Sequence, residues 1–320
     1  MKIHERLLFA LAVLGGCIPR QPSRTERPEV PVAPWEERTA RSESGHVYRY
    51  LYLEGPSGDA PALLLLPGGF FDNRIWLNAS GLAEGFRVLA LDWPDNSLLY
   101  GGRLEDYAAV VEDFLGAVGE REIHLGALSA GVYAALESAA RQRGFEVRSL
   151  VLISAVMLGV SDEEVKRREK LVDVALGLSP ARLGGLVEYG VARSDLEPAD
   201  GPIQQDEIFW VRPYTYYYQL FRAIGSQGAR RQATGGISCP VLVLQGTADE
   251  TMPAELARRT ADLFSDATYR ELEGYDHAMV FGHGPEISSI MMEFYRDRGL
   301  LPERPSETGA DASGGGGSQP

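Results

Sequence analysis

The chain has only two cysteines, Cys17 and Cys239, in 320 residues. No disulfide framework can be built from them, so the fold must rest on a hydrophobic core. Positive charge is also scarce: 31 Lys and Arg stand against 45 Asp and Glu, a net charge of −14. Residues 1–45 are near neutral, which puts the acid excess on the rest of the chain. Such a body repels nucleic acid and anionic lipid head groups rather than seeking them, so no nucleic-acid partner is expected. The sequence has no metal cluster, dinucleotide loop or P-loop, so no cofactor is implied. The apolar run Leu7–Leu14, LLFALAVL, is far too short to span a bilayer as a helix. Apolar residues themselves are plentiful, at 44% of the chain, enough for one large core or two ordinary domains.

The short apolar run has another reading. Lys2 and Arg6 precede it, and Leu14-Gly15-Gly16-Cys17 follows. This resembles the lipobox of bacterial lipoproteins. The resemblance implies a signal peptide over residues 1–16 and a lipidated Cys17 as the first mature residue. It also implies export and a membrane anchor in the cell envelope. Ile18, where an aspartate would resemble an inner-membrane retention signal, favours the outer membrane in a Gram-negative cell. Residues 17–45 are rich in Pro, Arg, Glu and Ser without an apolar period, and read as a flexible tether reaching on the order of 30 Å. Residues 304–320, rich in Ser, Gly and Pro, read as a disordered tail.

Between these ends, residues 46–303 alternate strand and helix patterns. Val47–Leu53 alternates and predicts an outer strand. Ala62–Leu66, ALLLL, is a continuous apolar run that suits a strand buried on both faces. Phe86–Leu91, Ile123–Leu128, Ser149–Ile153, Val241–Gln245 and Tyr269–Leu272 continue the series. Leu104–Val118 carries apolar residues at helical spacing, and Ala254–Phe264 and Glu286–Tyr295 read as helices. The alternation predicts an α/β fold: a mostly parallel twisted sheet with helices on both faces, whose chemistry sits beyond the carboxyl ends of the strands. From about 156 to 236 no strand-like run occurs, which predicts a helical cap. Its aromatics, among them Phe209, Trp210 and Tyr216, read as cap core, with a few available to line an apolar acyl or aryl pocket.

One stretch organises the rest. Ile123-His124-Leu125 enters a turn in which Ser129 is flanked by Gly126, Ala127, Ala130 and Gly131, and an apolar helix follows. A serine squeezed between strand and helix by small residues is a nucleophile elbow, here with Ala127 at the first glycine position. A serine hydroxyl needs a histidine to take its proton, and the histidine needs an acid to orient it. Of five histidines, His4 and His46 lie near the terminus and His124 lies inside the strand. His277 follows the last strand and is preferred over His283, one step further on. Asp249, in the loop after Val241–Gln245, is the preferred acid, with Glu250 and Asp276 as rivals. The oxyanion donors fall to the Ala130 N–H at the start of the helix and to Gly69 in Pro67-Gly68-Gly69-Phe70, with Phe70 second.

In these residues the chain resembles the α/β-hydrolase superfamily of capped serine hydrolases, from about His46 to Arg298. CPVLVLQGTADETMP is similar to the family's strand, Gly-x-x-Asp loop and helix start. The order Ser129, Asp249, His277 is the family's Ser–acid–His order. Three positions depart from the pattern. Pro67-Gly68 replaces His-Gly, Ala127 replaces the elbow glycine, and Asp92-Trp93-Pro94-Asp95-Asn96-Ser97 replaces an Arg-Gly-x-Gly-x-Ser turn. The resemblance implies hydrolysis of an ester-type bond in a small-molecule acyl substrate, without a cofactor. A catalytically silent binding protein, or acyl transfer or C–C bond hydrolysis by the same triad, are the alternatives.

Overall fold

A computed structural model describes residues 26–69, 71–94, 104–155, 177, 179, 182, 205–210, 212, 213, 216, 236–249 and 252–301. The signal peptide, Cys17, Phe70, most of the expected cap and the 304–320 tail lie outside the described residues.

Eight strands form one sheet in the order β1-β2-β4-β3-β5-β6-β7-β8. They are β1 Glu36–Arg41, β2 Val47–Leu53, β3 Ala62–Leu66, β4 Arg87–Leu91, β5 Glu122–Leu128, β6 Glu146–Ile153, β7 Val241–Gly246 and β8 Ala267–Leu272. From β4 to β8 every pairing is parallel, while β2 runs antiparallel to both β1 and β4. Alternation within the all-apolar β3 explains its composition. Leu64 and Leu66 enter one core, and Leu63 and Leu65 enter the other, so neither face has room for a polar residue. The first core is closed by helices α1 Leu104–Val118, α2 Gly131–Arg141 and α4 Ala254–Ala261. The second is closed by a 3-10 segment Asn73–Glu84, the short α5 Met279–Gly282 and α6 Gly284–Asp297. A further short helix, α3 Gln205–Ile208, belongs to the region expected to be a cap.

Two differences from the sequence reading have physical causes. The tether was drawn to residue 45, but Glu36–Arg41 pairs along its whole length with β2, and Trp35 before it is buried. The strand escapes a pattern search because it lies at the sheet edge, where charged side chains deter further pairing and no buried face imposes an apolar period. The 3-10 segment carries Asn, Arg and Ser among its apolar residues. Asp72 caps it by accepting from Arg74 N at 3.0 Å, and Asn73 and Asn78 donate to the distant carbonyls of Ala90 and Phe281 at 3.0 and 2.8 Å.

Candidate active site

The carboxyl ends of β5, β7 and β8 meet at one rim, and three short loops there bring the site together. Ser129 follows β5 and has φ of 50°, in the left-handed region. Its N–H donates to Ile153 O at 2.9 Å, which ties the elbow to the adjacent β6. The chain must then turn at once into α2. Gly131 permits this: a Cβ there would meet Pro67 O at 2.6 Å and Leu66 O at 2.9 Å. Backbone strain at the turn leaves the serine hydroxyl clear of strand and helix bonding. Ala127 in place of the usual glycine is accommodated, its methyl group fully buried in the first core.

The loops after β7 and β8 lie back to back. Gly246 allows it, since a Cβ at that position would fall 2.0 Å from Tyr275 O. Ala248 N donates to the same Tyr275 carbonyl at 3.0 Å, and Gly274 N donates to Thr247 Oγ1 at 2.8 Å. The result is a relay. His277 Nε2 is 2.9 Å from Ser129 Oγ, and His277 Nδ1 is 2.9 Å from Asp249 Oδ2. The rival residues are engaged elsewhere. Asp276 Oδ1 accepts from Ala278 N, and the His283 ring stacks on Tyr275 at 4.0 Å. Glu250 lies outside the described residues. His124 is in the core as expected, its Nδ1 2.7 Å from Ser149 Oγ; burial, with Arg148 nearby, pushes its pKa down to about 4.

Burial alone would raise the Asp249 carboxyl. The neighbouring His277, with hydrogen bonds from His277, Met252 N–H and Gln245, holds it below the ordinary value instead. Gln245 is a residue that sequence reasoning passes over. Its side chain is fully buried at the end of β7, and Nε2 donates to Asp249 Oδ2 and to Met252 O, both at 2.9 Å. The amide can point only one way, because a flipped Oε1 would face those two acceptors. A lone amide closing the apolar strand VLVLQ is the signal that could have found it.

The loop after β3, which holds the expected donor Gly69, lies against the elbow: a Cβ on Gly68 would be 3.3 Å from Ser129 Cβ. Ala130 begins α2 with φ −59° and ψ −27°, at the helix end where N–H groups lack intrahelical acceptors. Two buried ionic clusters flank this loop. Asp72 accepts from Arg74 Nη2 at 2.6 Å, Trp210 Nε1 at 3.0 Å and Arg27 Nε at 3.2 Å. Burial works against this carboxylate, but the Arg74 bond and the charges of Arg74, Arg212 and Arg27 hold its pKa at about 2. Asp92 pairs with Arg212, whose Nη1 also donates to Trp93 O at 3.0 Å. Trp93 Nε1 in turn donates to Pro67 O at 3.1 Å. Where the sequence departs from the family's Arg-Gly-x-Gly-x-Ser turn, a brace therefore runs from Arg212 through Trp93 to Pro67 at the start of the loop after β3. Among the described residues no group of His, Cys, Asp or Glu could hold a metal ion.

Solved structures share this architecture at low identity. A membrane phospholipase A described as a bacterial virulence factor matches at TM-score 0.60 and 22% identity, over 83% of this chain and 87% of that one. A putative lipase from Acinetobacter baumannii matches at TM-score 0.61 and 19% identity, over 84% and 93%. The enol-lactonase from Burkholderia xenovorans matches at TM-score 0.62 and 19% identity, over 81% and 100%. No curated protein matches. The alpha/beta hydrolase family model matches residues 63–288, well over half of the chain, and with the sheet order and rim geometry above the chain belongs to the alpha/beta hydrolase family.

Proposed function

We propose that this chain is a serine hydrolase of an ester-type bond, with Ser129 as nucleophile, His277 as general base and acid, and Asp249 as the orienting acid. The observation that carries the reading is the relay of two 2.9 Å contacts reaching a serine at a positive-φ elbow. The chemistry follows from it. His277 Nε2 takes the Ser129 proton as Oγ attacks the carbonyl carbon, while Asp249 holds Nδ1–H and stabilises the imidazolium. The N–H groups of Gly69 and Ala130 receive the oxyanion, aided by the positive end of the α2 dipole. The imidazolium then protonates the leaving alcohol. Water, deprotonated by the same His277, releases the acid and restores Ser129. The reading is supported by similar structures described as a phospholipase A, a putative lipase and an enol-lactonase.

The proposal includes the address. Cys17 is the lipidation site, and the mature protein is anchored in the cell envelope by acyl chains, which together suffice for stable attachment. A fluorophosphonate probe tests the chemistry. Labelling of the wild type that disappears in Ser129→Ala is expected; a folded wild type that stays unlabelled sinks the reading and favours a silent binder. Replacing Cys17 with Ser tests the anchor, which fails if the protein stays in the membrane fraction.

A further inference from the structure

The chain that leads away from Cys17 reaches the body at the rim of the sheet that carries Ser129. Arg27 bonds to Asp72, the cap residue at the start of the 3-10 segment just beyond the oxyanion loop. Arg74 donates to the carbonyl of Pro28, and the indole of Trp210 shares the same Asp72 carboxylate. Val30 and Val32 then pack on the second core, and Trp35 Nε1 donates to Leu77 O at 3.0 Å, further along the 3-10 segment. Among the described residues the N-terminal segment therefore meets the carboxyl rim at Arg27, whose Nη1 also donates to Glu37 Oε1 of β1 at 3.2 Å. The tether expected to reach residue 45 is thus already held against the body at Arg27.

From this geometry we infer that the substrate is an acyl ester of a membrane lipid, taken from the bilayer to which the protein is anchored. The inference rests on the serine-hydrolase reading and names its substrate class. Ten peptide units separate Cys17 from Arg27; fully extended they span at most about 35 Å. A domain of this size is roughly 45 Å across. Attachment at the rim by so short a lead makes the rim, not the opposite edge, the part of the body held nearest the lipid. Charge sharpens the point. With a net charge of −14 the body gains nothing from an anionic surface, so its access to lipid esters depends on the anchor and on where the lead docks. A soluble ester needs neither.

The experiment uses the full-length lipidated protein and two probes. One is a fluorogenic phosphatidyl ester in vesicles of phosphatidylethanolamine and phosphatidylglycerol; the other is soluble p-nitrophenyl butyrate. Cys17→Ser is expected to cleave the soluble ester at the native rate and the vesicle ester about a hundredfold more slowly. Inserting about 30 Gly and Ser residues between Pro22 and Ser23 makes the lead about four times longer. Effective concentration falls as the −3/2 power of length, so the vesicle rate should drop about eightfold with the soluble rate unchanged. The inference is overturned if both changes leave the vesicle rate at the native value, or if the lipidated protein cleaves the soluble ester but not the vesicle ester. Cleavage of neither ester overturns it together with the hydrolase reading, and Ser129 labelling separates the two failures.

Discussion

Two buried carboxylates sit on the same rim and have opposite companions. Asp249 is faced by an imidazole, an amide and a backbone N–H, with Gln245 and His277 sharing its Oδ2. Asp72 is faced by two guanidinium groups and an indole. Both are almost inaccessible, and both have pKa values below the ordinary carboxylate value. Around Asp72 the counter-charges are permanent, so its ionic state is locked and the cluster acts as a clasp. At Asp249 the imidazole of His277 stands where Asp72 has guanidinium groups, and in the proposed reaction that imidazole carries a charge only while it holds the Ser129 proton. Equal burial thus serves a structural clasp at Asp72 and, on the proposed reading, an orienting acid at Asp249, according to the partner each carboxylate is given.

The comparison breaks most visibly at the relay. Asp249→Asn keeps the shape but removes the charge, and kcat/KM should fall by about 10⁴ with little change in Tm; a loss below tenfold would mean that Asp249 is not the orienting acid. Asp72→Asn should do the reverse. It leaves Arg74 and Arg27 without their buried counter-ion and should cost about 3–5 kcal/mol of stability, read as a lower denaturant midpoint. An unchanged midpoint would remove the clasp from the account.

A third, smaller effect concerns pH. His124 has a folded pKa of about 4 against an unfolded value of 6.5, so the unfolded chain binds the proton first. Its stability contribution is complete above the unfolded value and is lost as pH falls towards the folded one, by about 3 kcal/mol in all. Thermal melts of His124→Phe should show a shallower loss between those two pH values than wild type; parallel curves would show that another group governs acid stability. Smallest is Gln245→Met, which removes one donor from Asp249 and leaves the other two. It should lower kcat/KM about 10–100-fold, well short of Asp249→Asn, because a hydrogen bond to a charged group contributes about 1.5–3 kcal/mol. A purely structural role would lower Tm and leave kcat/KM near the native value.

Much of this was legible in the one-dimensional pattern. The buried strands of a parallel sheet must be apolar on both faces, so β3, β5 and β7 declared themselves, and loop positions after β5, β7 and β8 pointed to Ser129, Asp249 and His277. Residues whose meaning depends on a distant partner were not legible. Glu36–Arg41 became a strand only because β2 offered it a free edge. Gln245 looked like the tail of an apolar strand until the Asp249 loop folded over it. Nothing local to Asp72, Asp92, Arg27 or Arg212 shows that they pair, and the fold alone brings the two buried carboxylates to their guanidinium partners.

The sequence by itself determined the class of fold, the order of Ser129, Asp249 and His277 along the chain, and the loops that carry them, because those follow from strand periodicity and from small residues at tight turns. Only the tertiary structure decided which histidine faces the serine, which side chain orients the acid, and at which edge the N-terminal segment docks. Each of these is a contact between groups tens to hundreds of residues apart, fixed by how the sheet brings its strand ends together and by nothing local to either partner.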